Sequence, residues 1–135
     1  MLKFEFTHDL GLVRSVVTEP HRYHYMANDA APRLSAFQVT DGEYVLATDD
    51  EKPVAVFVLR GNEVHFCFNE CRWRRMVEIG KAFVEWIGRP LVGPVPSYNR
   101  IAFRLAKAVG FTHTRTIPGG TKSGEPFYLF VMEVA

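Results

Sequence analysis

Three arginines, Arg72, Arg74 and Arg75, stand close together where the pattern of apolar residues turns helical. A guanidinium group can hold a phosphate through two parallel N–H bonds, so this cluster suits a phosphate-bearing ligand. Positive side chains at a helix start also oppose the helix dipole, which favours an anion partner there. The charge distribution points the same way. Residues 72–107 hold eight of the sixteen basic residues (Arg72, Arg74, Arg75, Lys81, Arg89, Arg100, Arg104, Lys107) against two acids, Glu78 and Glu85, in a chain whose net charge is only +1. A solvated pair of helices is the plainer account of such a segment. A phosphate-bearing partner is the other.

Other residues could move protons. His65 lies in an alternating strand beside Val64 and Phe66. Histidine is the residue type whose charge changes near neutrality, yet a lone strand histidine also packs or faces solvent. Glu43 starts a strand and Glu70 follows one. Tyr98 and Asn99 stand at a helix start, where tyrosine packs at the entry and asparagine is a favoured N-cap. Cys67 and Cys71 have no base at helical or adjacent spacing to activate them. Two cysteines with no matched histidine pair make a poor metal site and no disulfide framework.

The elements that must position these groups follow from periodicity. Residues 2–6 alternate as a strand, and Thr7 is the expected cap of a helix carrying Leu10, Val13 and Val17. Residues 21–33 hold His21, Tyr23, His24 and Tyr25 without a clean period; they read as a short helix or an irregular loop. Residues 43–50 read as a strand. Residues 52–68 read as a hairpin turning at Arg60–Gly61–Asn62. Trp73, Met76, Val77, Gly80, Phe83, Val84 and Ile87 fall on one helical face, and Gly88 stops the helix. Gly80 on an apolar face implies a close packing contact, since it costs roughly 1 kcal/mol of helix propensity. Residues 90–96 hold three prolines. They are awkward for a central strand and suit one that bulges or diverges from its neighbour. A helix carrying Ile101, Ala102, Leu105 and Val109 follows and ends at Gly110. Strands at 111–117 and 126–134 flank a glycine-rich turn at 118–125. The order β–α–(α)–β–β–β–α–β–α–β–β predicts one α/β domain over 1–135, a mixed sheet with helices on both faces.

This order, with the stretch Val95 to Phe111, resembles the GCN5-related N-acetyltransferase (GNAT) family. The family's second acyl-CoA-binding segment places Asn after a strand, Ala three residues on, Leu three beyond, usually Tyr next, then Gly-Phe. Asn99, Ala102, Leu105 and Gly110–Phe111 match. Ala106 stands where Tyr is usual. The narrower flavour of the stretch is similar to acetyltransferase-like proteins of tailed bacteriophages. The resemblance implies a GNAT-like fold and acetyl-CoA as co-substrate. It implies direct N-acyl transfer to a small-molecule or peptide amine. The alternative is an inactive GNAT-like structural or interaction protein, as of a phage. The family's pyrophosphate loop carries glycines that residues 68–78 lack, so Arg72, Arg74 and Arg75 are the expected phosphate contacts. Phe68, Asn99, Ala102 and Arg104 complete the expected acyl-CoA site. Catalysis in the family needs a proton acceptor for the amine and a donor for the leaving sulfur. With Ala106 in the usual donor's place, Tyr98 is the substitute. Glu70 and His65, with Glu43 behind them, are candidate bases.

The length suits one domain with a real core. The first residues hold no long apolar run, so neither a secretory signal nor a membrane span is expected, and a cytoplasmic location (a host's, for a phage protein) follows. Nucleic acid is not an expected partner, because no readout motif accompanies the basic segment. A homodimer could form by pairing or exchange of the last strand.

Overall fold

The computed structural model describes residues 1–17, 43–69, 72–121 and 124–133, without the side chains of Ser15 and Val17. Its elements are β1 (Leu2–Thr7), α1 (Leu10–Val17), β2 (Glu43–Asp49), β3 (Lys52–Arg60), β4 (Glu63–Phe68), α2 (Trp73–Ile87), β5 (Leu91–Pro96), α3 (Arg100–Val109), β6 (Thr112–Ile117) and β7 (Phe127–Met132). This is the expected order; the aromatic stretch 21–33 lies outside the described residues. None of the described helices is long and apolar enough to cross a membrane.

The strands form one seven-stranded sheet in the order β1-β2-β3-β4-β5-β7-β6. Neighbours are antiparallel except β4 and β5, which are parallel and joined through α2. Helix α1 covers one face, and α2 and α3 cover the other. Strand β2 shows why both faces hold. Tyr44 and Leu46 pack with Val13, Val16, Val56 and Cys67 under α1. Val45 and Ala47, alternating with them, join Phe57, Ile79, Phe83 and Leu105 on the opposite face. Strands buried on both sides read as unbroken apolar runs, as β2 and β3 do. Phe57 and Phe83 stack with ring centroids 3.8 Å apart and seat α2 on the sheet.

Four expectations change in detail. The cap of α1 is Asp9, whose carboxylate accepts the Leu12 N–H at 3.0 Å. Thr7 is not the cap, because it is still paired with Tyr44 in the sheet. With the helix starting at Leu10, Val13 and Val16 turn inward and Leu10 stays exposed. In α2 the buried stripe is Met76, Ile79, Gly80 and Phe83, and Trp73 sits at its rim. Finally, β7 lies between β5 and β6, so both its edges are taken and it offers no free edge to a second copy. Among the described residues, the sheet's edges are β1 and β6.

The close contact expected at Gly80 is present. A Cβ there would stand 2.6 Å from Cγ2 of Val109, so the bare backbone of α2 lets α3 approach.

Candidate active site

The site begins with the donors that two prolines of β5 cannot supply. Strand β5 pairs with β7 along its whole length, from Leu91↔Met132 to Pro96↔Phe127. On its other side it shares with β4, among the described residues, the single register pair Glu63↔Val92. The Val92 N–H points toward β4 and donates to the Asn62 carbonyl at 2.7 Å. Alternate residues of a strand direct their N–H groups to the same side. The next two such positions are Pro94 and Pro96, which have no N–H to give. The ladder therefore stops and the two strands part. Leu91, Gly93 and Val95 keep the donors that face β7. The divergence read from the prolines is thus a matter of which side they occupy.

Parted strands leave backbone polar groups on β4 with no partner in β5, and such groups demand one. The exit of β4 is pinned separately. The Asn69 N–H donates to the Val54 carbonyl at 2.8 Å, and its side-chain amide to the Pro53 carbonyl at 3.1 Å. Beyond this point α2 begins. Arg72 is its N-cap residue, with no side-chain cap bond, and no acid lies in its first turn. A helix start without a capping side chain of its own, and without an acid in its first turn, favours an anion.

The arginines divide by partner. Arg75 is committed to acids: it pairs with Asp49 and, at 2.9 Å, with Glu78. The Met1 ammonium bonds Asp49 at 3.0 Å. That ammonium first, and Arg75 after it, hold the Asp49 carboxyl below its ordinary value. Arg72 and Arg74 are exposed, and among the described residues Arg74 has no acid partner. Arg104, from α3, lies over the ring of Trp73 at 5.1 Å from its centroid. A guanidinium on an indole face is an attractive contact. It brings the α3 arginine to the start of α2, thirty-odd residues away in sequence. Lys107 sits over Phe103 instead, at 5.6 Å.

Asn99 caps α3, its side-chain oxygen accepting the Ala102 N–H at 3.1 Å. Tyr98 is exposed in the turn just before it; that turn is fixed by Asn99 N–H to Pro96 carbonyl and Ser97 N–H to Pro126 carbonyl bonds of 2.9 Å each. Ala102 is half-buried and Ala106 is buried among the α2–α3 core residues. Phe68 is buried too, its ring edge-on to Phe57 and Phe66. Glu43 pairs with Arg89 at 3.3 Å, at the end of the sheet where β4 begins. Cys67 is a buried core thiol. Glu70 lies outside the described residues. His65 is half-buried where β4 and β5 part, with its Nε2 3.2 Å from Glu63 Oε2. Glu63 was not among the expected site residues, and Trp73 was expected only as part of the apolar helix face. Two-residue spacing on one strand was the available signal for Glu63. Trp73 has none, because its partner is on another helix.

No family model matches the chain, and no curated protein matches it. Solved structures do. An aminoglycoside acetyltransferase AAC(6')-Ib in complex with coenzyme A superposes with a TM-score of 0.71 at 13% identity, covering 98% of this chain and 95% of that one. An acetyltransferase of the GNAT family from Streptococcus pneumoniae gives 0.67 at 14% identity over the whole of both chains. An aminoglycoside N(6')acetyltransferase from Legionella pneumophila gives 0.71 at 14% identity, covering 97% and 91%. The architecture is therefore a mixed α/β one. It is the fold of GNAT acetyltransferases, as the stretch Val95–Phe111 implied. The narrower likeness to phage proteins draws no support from these structures.

Proposed function

We propose that the protein is an acyl-CoA-dependent N-acyltransferase that moves an acetyl group from acetyl-CoA to a small-molecule amine. The parting of β4 and β5 at the centre of the sheet, with the arginine-bearing start of α2 beyond it, is the observation that carries this reading. Related folds crystallised with coenzyme A, and with paromomycin and acetyl-CoA, support it and favour a small amine over a peptide.

The chain's own residues divide the work. The backbone edge of β4 through Phe68 binds the pantetheine arm. Arg72, Arg74 and the first N–H groups of α2 hold phosphate, with Arg104 reaching the same ligand from α3. Arg75, tied to Asp49 and Glu78, fixes the start of α2. Asn99 and Ala102 shape the ligand's passage past α3, Asn99 while also capping it. Bound acetyl-CoA supplies the thioester: its carbonyl carbon gains a bond to the amine nitrogen, the carbon–sulfur bond breaks, and the sulfur leaves with the electron pair. His65 takes the proton from nitrogen at a ring nitrogen, and Tyr98 gives one to sulfur from its phenol. Glu70 stays a second candidate base. Holding the two reactants together supplies much of the rate.

Titration calorimetry with acetyl-CoA tests the reading. Saturable binding is expected, and R72A/R74A weakens it by about tenfold or more, the scale of a charge-assisted hydrogen bond. No heat at millimolar acetyl-CoA would sink the proposal.

A further inference from the structure

Strand β4 is the fourth of seven strands, and interior strands carry few charges on a covered face. Its α2 side obeys this: Val64, Phe66 and Phe68 all join the core. Its α1 side begins as differently as it could. Glu63 and His65 stand there in succession, ahead of Cys67, which is buried under α1. Their side chains remain 42% and 32% exposed. Glu63 opens β4 beside the hairpin turn, and solvent reaches this side of the strand at the place where the Glu63↔Val92 pair is followed by separation.

The pairing of the two side chains fixes a proton. An ionised carboxylate only accepts hydrogen bonds. Glu63 Oε2 lies 3.2 Å from Nε2 of His65, so in the neutral imidazole the proton sits on Nε2 and the lone pair sits on Nδ1. Among the described residues Nδ1 has no hydrogen-bond partner. Arg60 stands opposite Glu63 on β3 and supplies a positive charge on the carboxylate's side of the pair.

We infer that Glu63 is a positioning residue for His65, holding the ring in the tautomer whose Nδ1 accepts the proton of the acceptor amine. The inference rests on the acyltransferase reading and sharpens it to one atom. In the step, the amine N–H bond breaks and its proton passes to Nδ1, giving an imidazolium. The Nε2 proton stays in its bond to Glu63, whose carboxylate faces the new charge. The electron pair left on nitrogen forms the bond to the thioester carbon, and the departing sulfur takes its own proton from Tyr98. His65 then returns its proton to solvent, and the Tyr98 phenolate recovers one from solvent. The open exposure of both side chains provides that route.

Three measurements on the full chain separate this inference from its parent. Long-range nitrogen–proton NMR of the labelled histidine rings should find His65 protonated on Nε2 in the parent and in E63Q, whose amide oxygen still accepts. In E63L it should become a mixture. An Nδ1-protonated or mixed ring in the parent overturns the inference. Calorimetry with acetyl-CoA should give the same affinity for the parent, E63L and H65Q. Failure of all three to bind refutes the acyltransferase reading itself and leaves the tautomer result to stand alone; weakened binding in E63L only makes Glu63 a ligand contact and overturns its positioning role. Thiol release from acetyl-CoA, with kanamycin as the probe amine, should fall about a hundredfold in H65Q, the low end for a lost general base. It should fall about tenfold in E63L, recover in E63Q, and be no slower in the double variant than in H65Q. Losses that multiply, or release in the parent no faster than in buffer, overturn it.

Discussion

Gly80 joins the sheet's two helical neighbours on one face, and changing it tests how the site is held. A Cβ at Gly80 would stand 2.6 Å from a Val109 methyl, about 1 Å inside a comfortable carbon–carbon contact. Val109 is buried and β-branched, so its methyls cannot swing aside as the tip of a long side chain would. Gly80→Ala gains roughly 1 kcal/mol of helix propensity. Against that, overpacking of a filled core costs about 1–3 kcal/mol. The net expectation is a loss of about 1 kcal/mol, opposite in sign to the same change on an exposed helix. In urea, with a slope of about 1–3 kcal/mol per molar, this is a midpoint lower by roughly 0.5 M. Adding Val109→Ala clears the obstruction, and the pair should be more stable than the sum of the singles by about 1–2 kcal/mol. Trp73 lies two turns before Gly80, so helices pushed apart there also disturb the Trp73–Arg104 stack, and acetyl-CoA affinity should drop with stability. Urea unfolding followed by circular dichroism reads the first effect and calorimetry the second. A G80A protein at least as stable as its parent, with V109A merely additive, would refute the reasoning.

Three further outcomes follow from the geometry. Replacing Pro94 and Pro96 with Val restores two donors toward β4; hydrogen exchange should slow at residues 65–68 and acetyl-CoA should bind more weakly, and unchanged exchange would mean the prolines do not keep the strands apart. Asn99→Ala removes the cap of α3 and should cost about 1 kcal/mol in urea unfolding, whereas Asn99→Asp should keep most of it. Asp49 titrates below its ordinary value in the folded chain. Its contribution is therefore complete above the unfolded value of about 4 and is lost as pH falls through the lower folded value. D49N should lower the midpoint at pH 7 and show a flatter decline between pH 5 and 3, and parallel curves would exclude this role.

Much of the architecture was legible because periodicity is local. The two-residue alternation of β2, the stripe on α2 and the prolines of β5 each report on neighbours along the chain. What failed locally failed for a nameable reason. Thr7 has the side chain of a cap, but its backbone was already claimed by Tyr44 across the sheet, and a cap needs a residue leaving the strand. Nothing in residues 126–134 tells that β7 slips between β5 and β6, since the strand order is decided by distant edges. The Trp73–Arg104 contact joins two helices and leaves no mark in either one. For the site, the motif around Asn99 marked the right turn. It did not separate Arg75, which faces two acids, from Arg74, which faces none among the described residues. That distinction comes from Asp49 on a hairpin far earlier in the chain.

The single rung between Glu63 and Val92 has a consequence for how the molecule comes apart. Strands β1–β4 form one continuous ladder and β5–β7–β6 another. Between them, among the described residues, stand that rung, the helices that bridge them, and side-chain packing such as the Phe66–Phe111 and Gly80–Val109 contacts. Such a joint is a natural boundary between cooperative units. The half ending in β4 and the half beginning with β5 are expected to open against one another before either unravels. A ligand that lies between the halves would then act as a clasp, raising protection on both sides of the seam together and leaving the two outer edges of the sheet unchanged.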